Sequence, residues 1–114
     1  MKNANFYLKQ IVSSLKKIDP LKVIVFGSCA SGLATKESDI DLFVILDSNK
    51  ISKNYEERLQ KKLLVREQIL NLSFQTQIDL MVYSRAEYQK LKNESWYFAN
   101  EIEKRGKIIY EKAS

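Results

Sequence analysis

The sequence predicts an α/β (α+β) fold in which a small mixed β-sheet is packed with helices. Amphipathic helical patterns alternate along the chain with short apolar runs that are rich in β-branched residues and bounded by turn residues, as buried strands are. The helical pattern between the second and third runs is long enough to connect two parallel strands by a crossover. A chain of 114 residues can bury one core, so we expect a single domain over residues 1–114.

Strands and helices are expected in a definite order. The predicted strands cover residues 23–26, 40–46 and 77–83, and a last short apolar segment covers residues 108–110. The predicted helices cover residues 5–18, 55–72, 84–92 and 95–104. Asp19 and Pro20 end the first helix, because proline cannot continue it and favours an extended residue before it. Ser84 and Glu87 have the spacing of a capping box. In the longest helix, whose lysines are expected on a solvated face, the predicted core residues are Leu59, Leu63, Ile69 and Leu72.

The stretch from residue 23 to residue 47 carries the most specific motif of the chain. Its first strand ends at Gly27, which permits a positive φ and the close approach of a ligand, and Ser28 can cap a short helix. Free amides at such a helix start bind phosphate. Asp39 and Asp41 begin the next strand two residues apart, so their carboxylates project from the same face.

Two carboxylates on one face of a strand predict a metal site. About 5 Å apart at an effective dielectric near 20 they repel by roughly 3 kcal/mol, and a divalent cation removes this cost. Magnesium takes one or two protein carboxylates and fills its other positions with water and substrate phosphates. If the strand of residues 77–83 lies beside that of residues 40–46, Asp79 adds a third carboxylate. The alternatives are that Asp39 and Asp41 cap the turn before the strand and that Asp79 faces solvent.

These residues carry a resemblance to a known family. Gly27-Ser28, followed after ten residues by Asp39-x-Asp41 and about forty residues later by Asp79 in a strand, resembles the nucleotidyltransferase fold of the DNA polymerase β superfamily, whose core is called the palm. At this length the chain is most similar to the minimal nucleotidyltransferases (MNT), the partners of HEPN-domain proteins in prokaryotic toxin–antitoxin pairs. The resemblance covers residues 22 to about 82.

The resemblance implies site residues and cofactors. In the family the serine of the Gly-Ser turn helps to hold the nucleotide phosphates, the Asp-x-Asp pair binds two magnesium ions, and the third acid supports the ion nearer the attacking hydroxyl. The implied catalytic residues and metal ligands are Asp39, Asp41 and Asp79. The candidate nucleotide-binding residues are Gly27, Ser28 and Ser38. Many family members have arginine where this chain has Ser31, so a phosphate-directed cation is missing unless Lys36 or another basic residue replaces it.

The implied activity is the transfer of a nucleoside monophosphate, AMP from ATP, to a hydroxyl group, with pyrophosphate released. The family resemblance proposes a tyrosine of a HEPN toxin as the acceptor, which makes this chain the antitoxin. One alternative is a module of the same fold that neutralises its partner by occlusion without turnover. Another is an enzyme that modifies a small-molecule alcohol such as an aminoglycoside.

Composition indicates the kind of partner and the cellular compartment to expect. A formal charge of +5 suits an anionic partner such as a nucleotide or an acidic protein, but the basic residues are spread out, so direct binding of nucleic acid is not favoured. The single cysteine, Cys29, cannot form an internal disulfide, and no signal peptide or membrane-length apolar run is present, so we expect a cytoplasmic protein. The chain has no histidine, so a proton acceptor would have to be a carboxylate, bound hydroxide or the metal itself.

Overall fold

The computed structural model describes residues 4–27, 39–94 and 96–113, within which four strands form one mixed sheet. The strands are β1 (Lys22–Phe26), β2 (Ile40–Leu46), β3 (Ile78–Ser84) and β4 (Lys107–Glu111). Their order across the sheet is β3-β2-β1-β4; β1 is antiparallel to both of its neighbours, and β2 and β3 are parallel. The predicted mixed sheet is confirmed, and the last apolar segment of the sequence forms the edge strand β4.

Five α-helices lie within the described residues. They are α1 (Ala4–Leu15), α2 (Tyr55–Gln68), α3 (Leu70–Ser73), α4 (Arg85–Glu94) and α5 (Trp96–Arg105), and a 3-10 turn, Lys16–Ile18, continues α1. The helical stretch predicted over residues 55–72 is therefore divided at Ile69, where φ is −115°. Helices α2 and α3 form the crossover between the parallel strands β2 and β3, which the length of that helical pattern permits.

The sheet has an apolar core on each face. On one face, β-strand residues such as Val25 and Leu42 pack with Ile11 of α1 and Val65 of α2. On the other face, Phe43 at the centre of β2 packs with Ile102 of α5. The sheet is thus enclosed between α1–α3 and α4–α5. None of the helices in the described residues combines the length and the apolar character needed to cross a bilayer.

The predicted core stripe of the longest helix is partly wrong. Ile69 and Leu72 are buried, but Leu59 and Leu63 are 37% and 50% exposed, and Val65 is the fully buried residue of α2. None of residues 55–64 is buried, so only the C-terminal part of α2 packs on the sheet. The apolar period therefore identified a helix correctly, but the side facing the core is the one that carries Val65 and Ile69.

Two junctions between elements follow from local chemistry. Ser84 and Glu87 form the predicted capping box, since the Glu87 amide donates to Ser84 Oγ at 3.1 Å and the Ser84 amide donates to Glu87 Oε1 at 2.8 Å. The junction before Pro20 differs from the prediction. Asp19 is left-handed (φ 49°, ψ 59°) rather than extended, because its amide closes the 3-10 turn on the Lys16 carbonyl.

Candidate active site

The acidic residues of the motif meet at one end of the sheet. In the parallel pairing of β2 with β3, Asp41 lies directly opposite Asp79, and Asp39 immediately precedes β2. Residues opposite each other in neighbouring strands project from the same face. The condition set by the sequence, that the third acid lie in the strand beside the Asp-x-Asp pair, is therefore met.

Aromatic residues fill the face of the sheet behind these carboxylates. Phe43, two residues after Asp41 and hence on the same face, is fully buried. Its ring stacks on Tyr83 with centroids 5.1 Å apart and meets the edge of Phe26 at 6.1 Å. These contacts fix the backbone of β2 and β3 next to the acids, because an aromatic core resists rearrangement.

The surroundings of Asp41 disfavour its charged form. Burial raises the pKa of Asp41 above its ordinary value, and the negative charges of Asp79 and Asp39 raise the pKa further. Asp39 and Asp79 are exposed, whereas Asp41 is half-buried at the sheet end. The negative charges of Asp79 and Asp39 therefore both act on the Asp41 carboxylate.

Gly27 lies against this cluster. It ends β1 in a left-handed conformation (φ 67°), and a Cβ atom at this position would lie 2.7 Å from Oδ2 of Asp41. A substituted residue would therefore meet both backbone strain and a steric clash. Glycine at position 27 therefore lets the backbone at the end of β1 pass close to the Asp41 carboxylate.

The donor set fits magnesium, although it is not a closed cage. In the described residues, no three acidic, histidine or cysteine side chains are grouped closely enough to hold an ion on their own. Magnesium does not require such a cage, since it keeps waters and substrate phosphates as ligands beside one or two carboxylates. Asp41 and Asp79 supply hard oxygen donors, and their mutual repulsion is a cost that a cation would relieve.

The binding of a nucleotide by Gly27, Ser28 and Ser38 stays a prediction. Gly27 is next to the acids, as described above. Ser28 and Ser38, together with Ser31 and Lys36, lie outside the described residues, so their predicted contacts with a nucleotide stay predictions.

A cleft beside Asp79 was not anticipated from the sequence. It has a volume of about 520 Å³ and is lined by Asp79, by residues 73–78 and by two cations of α2, Lys62 and Arg66. The helical pattern predicts that the lysines of this helix lie on a solvated face, whereas Lys62 borders the cleft. The i, i+4 spacing of Lys62 and Arg66 was a signal that they share one side of the helix, but the sequence does not say which side borders the site.

Comparison with known proteins agrees with this architecture. The chain is similar to a proposed nucleotidyltransferase from Sulfolobus solfataricus, with a TM-score of 0.59 and 19% identity, over 94% of this chain and 82% of that one. It is also similar to a chain in a crystal structure of a toxin-antitoxin with AMP-PNP, with a TM-score of 0.55 and 18% identity, over 91% of this chain and 73% of that one. At such identities the similarity shows a shared fold. No curated protein sequence matches the chain significantly.

The family follows from the sequence match. Residues 7–109 match the family model described as the nucleotidyltransferase domain, so the match includes Gly27, both aspartates of the Asp-x-Asp pair and Asp79. The chain therefore belongs to the nucleotidyltransferase domain family.

Proposed function

We propose that this protein is a magnesium-dependent nucleotidyltransferase that transfers AMP from ATP to a tyrosine hydroxyl of a partner toxin with a HEPN domain, and so acts as the antitoxin of the pair. The observation that carries the proposal is the register of β2 and β3, which sets Asp41 beside Asp79 with Asp39 next to them. Membership of the nucleotidyltransferase domain family supports the reaction type. The pair would act in the cytoplasm, where ATP is available.

The likeness to a toxin-antitoxin structure supports the choice of partner and nucleotide. That structure contains AMP-PNP, an analogue of ATP. The predicted HEPN identity of the partner comes from the family resemblance of the motif. The tyrosine acceptor has the same origin.

The three aspartates would share the work of holding the metal and the substrates. Asp39 and Asp41 would hold the magnesium ion that accompanies the triphosphate, and Asp79 would hold the ion nearer the acceptor hydroxyl. Bound there, the ions would neutralise charge on the phosphate oxygens and lower the pKa of the hydroxyl. Gly27 leaves space next to Asp41, so the turn after β1 can approach the phosphates without a side chain between them.

The reaction balances without a further reagent. The acceptor oxygen forms a bond to the α-phosphorus while the bond from that phosphorus to the pyrophosphate oxygen breaks, and pyrophosphate leaves with the electron pair. The proton of the hydroxyl must go to a base. Since the chain contains no histidine, a carboxylate of the acidic cluster is the base that the protein itself offers at this site.

The test is transfer of label from α-labelled ATP to the partner protein in the presence of magnesium. We expect Asp41→Asn and Asp79→Asn to lower the rate by about two orders of magnitude or more, the loss typical when an electrostatic stabiliser of the transition state is removed. Glu67→Gln is the matched control, because Glu67 is an exposed carboxylate on α2 that does not line the cleft beside Asp79. Equal transfer by the wild type and both asparagine variants would exclude the proposed enzyme.

Ser31 motivates a second arm of this experiment. The family's arginine is absent at this position, and an occluding antitoxin would not need it. If the Asp41→Asn/Asp79→Asn double variant still neutralises the toxin in cells, neutralisation is stoichiometric and the catalytic account of the antitoxin fails. If neutralisation is lost while the complex still forms, catalysis is the mechanism.

A further inference from the structure

Strand β3 forms an open edge of the sheet. Within the described part of the chain it pairs only with β2. The Ile40 amide donates to the Gln77 carbonyl, and in a parallel ladder this bond sets the phase for the whole strand. The main-chain groups of successive residues in a strand point alternately to its two sides. Since Gln77 bonds to β2, the main-chain groups of Ile78, Leu80 and Val82 point away from β2. The edge therefore presents a row of amides and carbonyls to an incoming strand.

Two neighbouring cavities follow this edge. The cleft beside Asp79 has a volume of about 520 Å³, and the second cavity, of about 410 Å³, borders residues 80–83 and continues to α4. Lys62 and Leu80 line both of them. The second cavity is bordered by α2, which covers one face of the sheet, and by α4, which covers the other, so it lies at the edge itself. We call the two cavities together the edge groove.

A row of three cations borders the edge groove. Arg58, Lys62 and Arg66 are spaced four residues apart on α2, so successive members are about 6 Å apart along the helix axis. All three side chains are exposed, and within the described residues none makes an ion pair or a side-chain hydrogen bond. We call this row the basic ridge. It is a surface that attracts an extended anionic chain.

The acids that line the edge groove do not neutralise the basic ridge. Glu87 is bound by Lys61, and Glu94 lies 4.0 Å from Lys90. Asp79, at the end of the edge groove, belongs to the acidic cluster. The positive charge of the ridge is therefore left for a partner.

The rest of the lining suits a polypeptide better than a nucleic acid. Ile51 and Met81 line the second cavity and are 47% and 40% exposed, which offers apolar contacts to the side chains of an added strand. A row of free main-chain groups, flanked by apolar contacts and a basic ridge, is complementary to an extended acidic segment. Nucleic acid would use the cations but not the open strand edge.

We propose that the edge groove binds an acidic, extended segment of the partner protein as an additional strand beside β3, and that this segment carries the acceptor hydroxyl to Asp79. The inference rests on the proposed function for the role of Asp79, but the docking itself needs neither nucleotide nor metal. Main-chain hydrogen bonds to β3 would supply the pairing. The basic ridge would select an acidic segment and set its position along the groove.

The experiment measures peptide binding to the full chain by fluorescence anisotropy, without nucleotide or magnesium. The probe is a fluorescein-labelled peptide of alternating threonine and glutamate. Two further probes replace glutamate by lysine or use single-stranded oligoadenylate. We expect the acidic peptide to bind and the lysine peptide to fail. Tighter binding of oligoadenylate than of the acidic peptide would overturn the proposal in favour of nucleic acid.

Charge-reversal variants separate the effect of the basic ridge on peptide binding from the effect of the protein's net charge. Arg58→Glu/Lys62→Glu/Arg66→Glu should weaken acidic-peptide binding by about tenfold or more. The matched control, Lys9→Glu/Lys17→Glu/Lys104→Glu, changes the net charge equally at exposed lysines outside the edge groove and should leave binding within about twofold of the wild type. Equal weakening by both triple variants would refute the assignment to this surface.

A second pair of variants tests the strand edge. Val82→Pro removes an outward amide without removing a bond to β2, as proline does when it is tolerated on edge strands. Val82→Ala also removes the valine side chain, leaves a shorter one than proline does, and keeps the amide. We expect binding to fall by about tenfold only for Val82→Pro; an equal effect of the two would overturn strand addition, provided that circular dichroism shows both variants folded.

The two proposals fail in different ways. If the peptide binds in the edge groove but no label is transferred from ATP to the partner, the proposed nucleotidyltransferase activity is wrong and the proposed docking surface stands. If the wild type and the charge-reversed ridge variant transfer label to the partner equally, the proposed docking surface is wrong and the proposed nucleotidyltransferase activity stands.

Discussion

A Cβ atom on Gly27 would lie 2.7 Å from Oδ2 of Asp41, so the end of β1 and the acidic cluster are in steric contact. Gly27 also has φ 67°, which costs a residue with a side chain about 1 kcal/mol or more. Gly27→Ala is therefore expected to lower the free energy of unfolding by about 2 kcal/mol and to displace the Asp41 carboxylate. Urea unfolding followed by circular dichroism measures the first effect.

A double-mutant cycle separates the clash from the backbone strain. In an Asp41→Ala background the clashing oxygen is absent, so Gly27→Ala should then cost only about 1 kcal/mol, the part due to the backbone. The same cost in both backgrounds would show that Gly27 does not act on Asp41.

Clustered carboxylates are expected to be costly in the metal-free protein. Asp79→Asn removes one charge that raises the pKa of Asp41, so we expect it to raise the free energy of unfolding by about 0.5 kcal/mol after screening by water. The same variant should lose most of the rise in melting temperature that magnesium gives the wild type, because ligand binding to the native state stabilises it. Thermal melts with and without magnesium test both statements. Equal shifts in the wild type and Asp79→Asn would contradict the metal assignment.

The convergence of the acids could be read from the sequence because each step had a simple physical basis. Side chains alternate along a strand, which sets Asp39 and Asp41 on one face, and the helical stretch between the strands is long enough for a crossover to a parallel neighbour. The structure confirms that Asp79 lies beside Asp41. The capping box could also be predicted from the sequence, because it joins Ser84 and Glu87, which are only three residues apart.

The features that could not be predicted from the sequence depend on contacts between distant parts of the chain. A helical period shows that Leu59 and Leu63 share one side of a helix, but the part of α2 that carries them extends beyond the buried contact made by Val65. The order of the strands and the presence of Lys62 and Asp79 along one cleft depend on how the helices pack on the sheet. No local pattern encodes that packing.

Glu87 joins three separate parts of the chain. Besides its capping-box bond to Ser84, its carboxylate accepts from the Ser52 amide at 2.9 Å and pairs with Lys61 of α2. Burial alone would raise the pKa of Glu87, but these donors outweigh it and lower the pKa to about 2. The carboxylate is thus held in its charged form between α2, the segment before it and the start of α4.

This depressed pKa makes stability depend on pH. A carboxyl group whose pKa is lower in the folded protein stabilises it above the unfolded pKa, and that contribution is lost as the pH falls towards the folded value. We expect about 2 kcal/mol of stability to disappear between about pH 5 and pH 2, and Glu87→Gln to remove it at neutral pH. Urea titrations across this range measure it. Glu94→Gln, at an exposed pair with Lys90, is the control and should follow the wild type; a wild-type pH profile in Glu87→Gln would contradict the assignment.

Substitutions on the two sides of α2 should change the free energy of unfolding by different amounts. Val65 is fully buried between α2 and the sheet, so Val65→Ala leaves a void and is expected to cost about 2 kcal/mol. Leu63 is half exposed, and Leu63→Gln should change the free energy of unfolding by no more than about 0.5 kcal/mol. The measurement is urea unfolding of each variant in the isolated chain. A larger loss for Leu63→Gln than for Val65→Ala would mean that α2 turns the other side to the sheet, and the basic ridge would then no longer border β3.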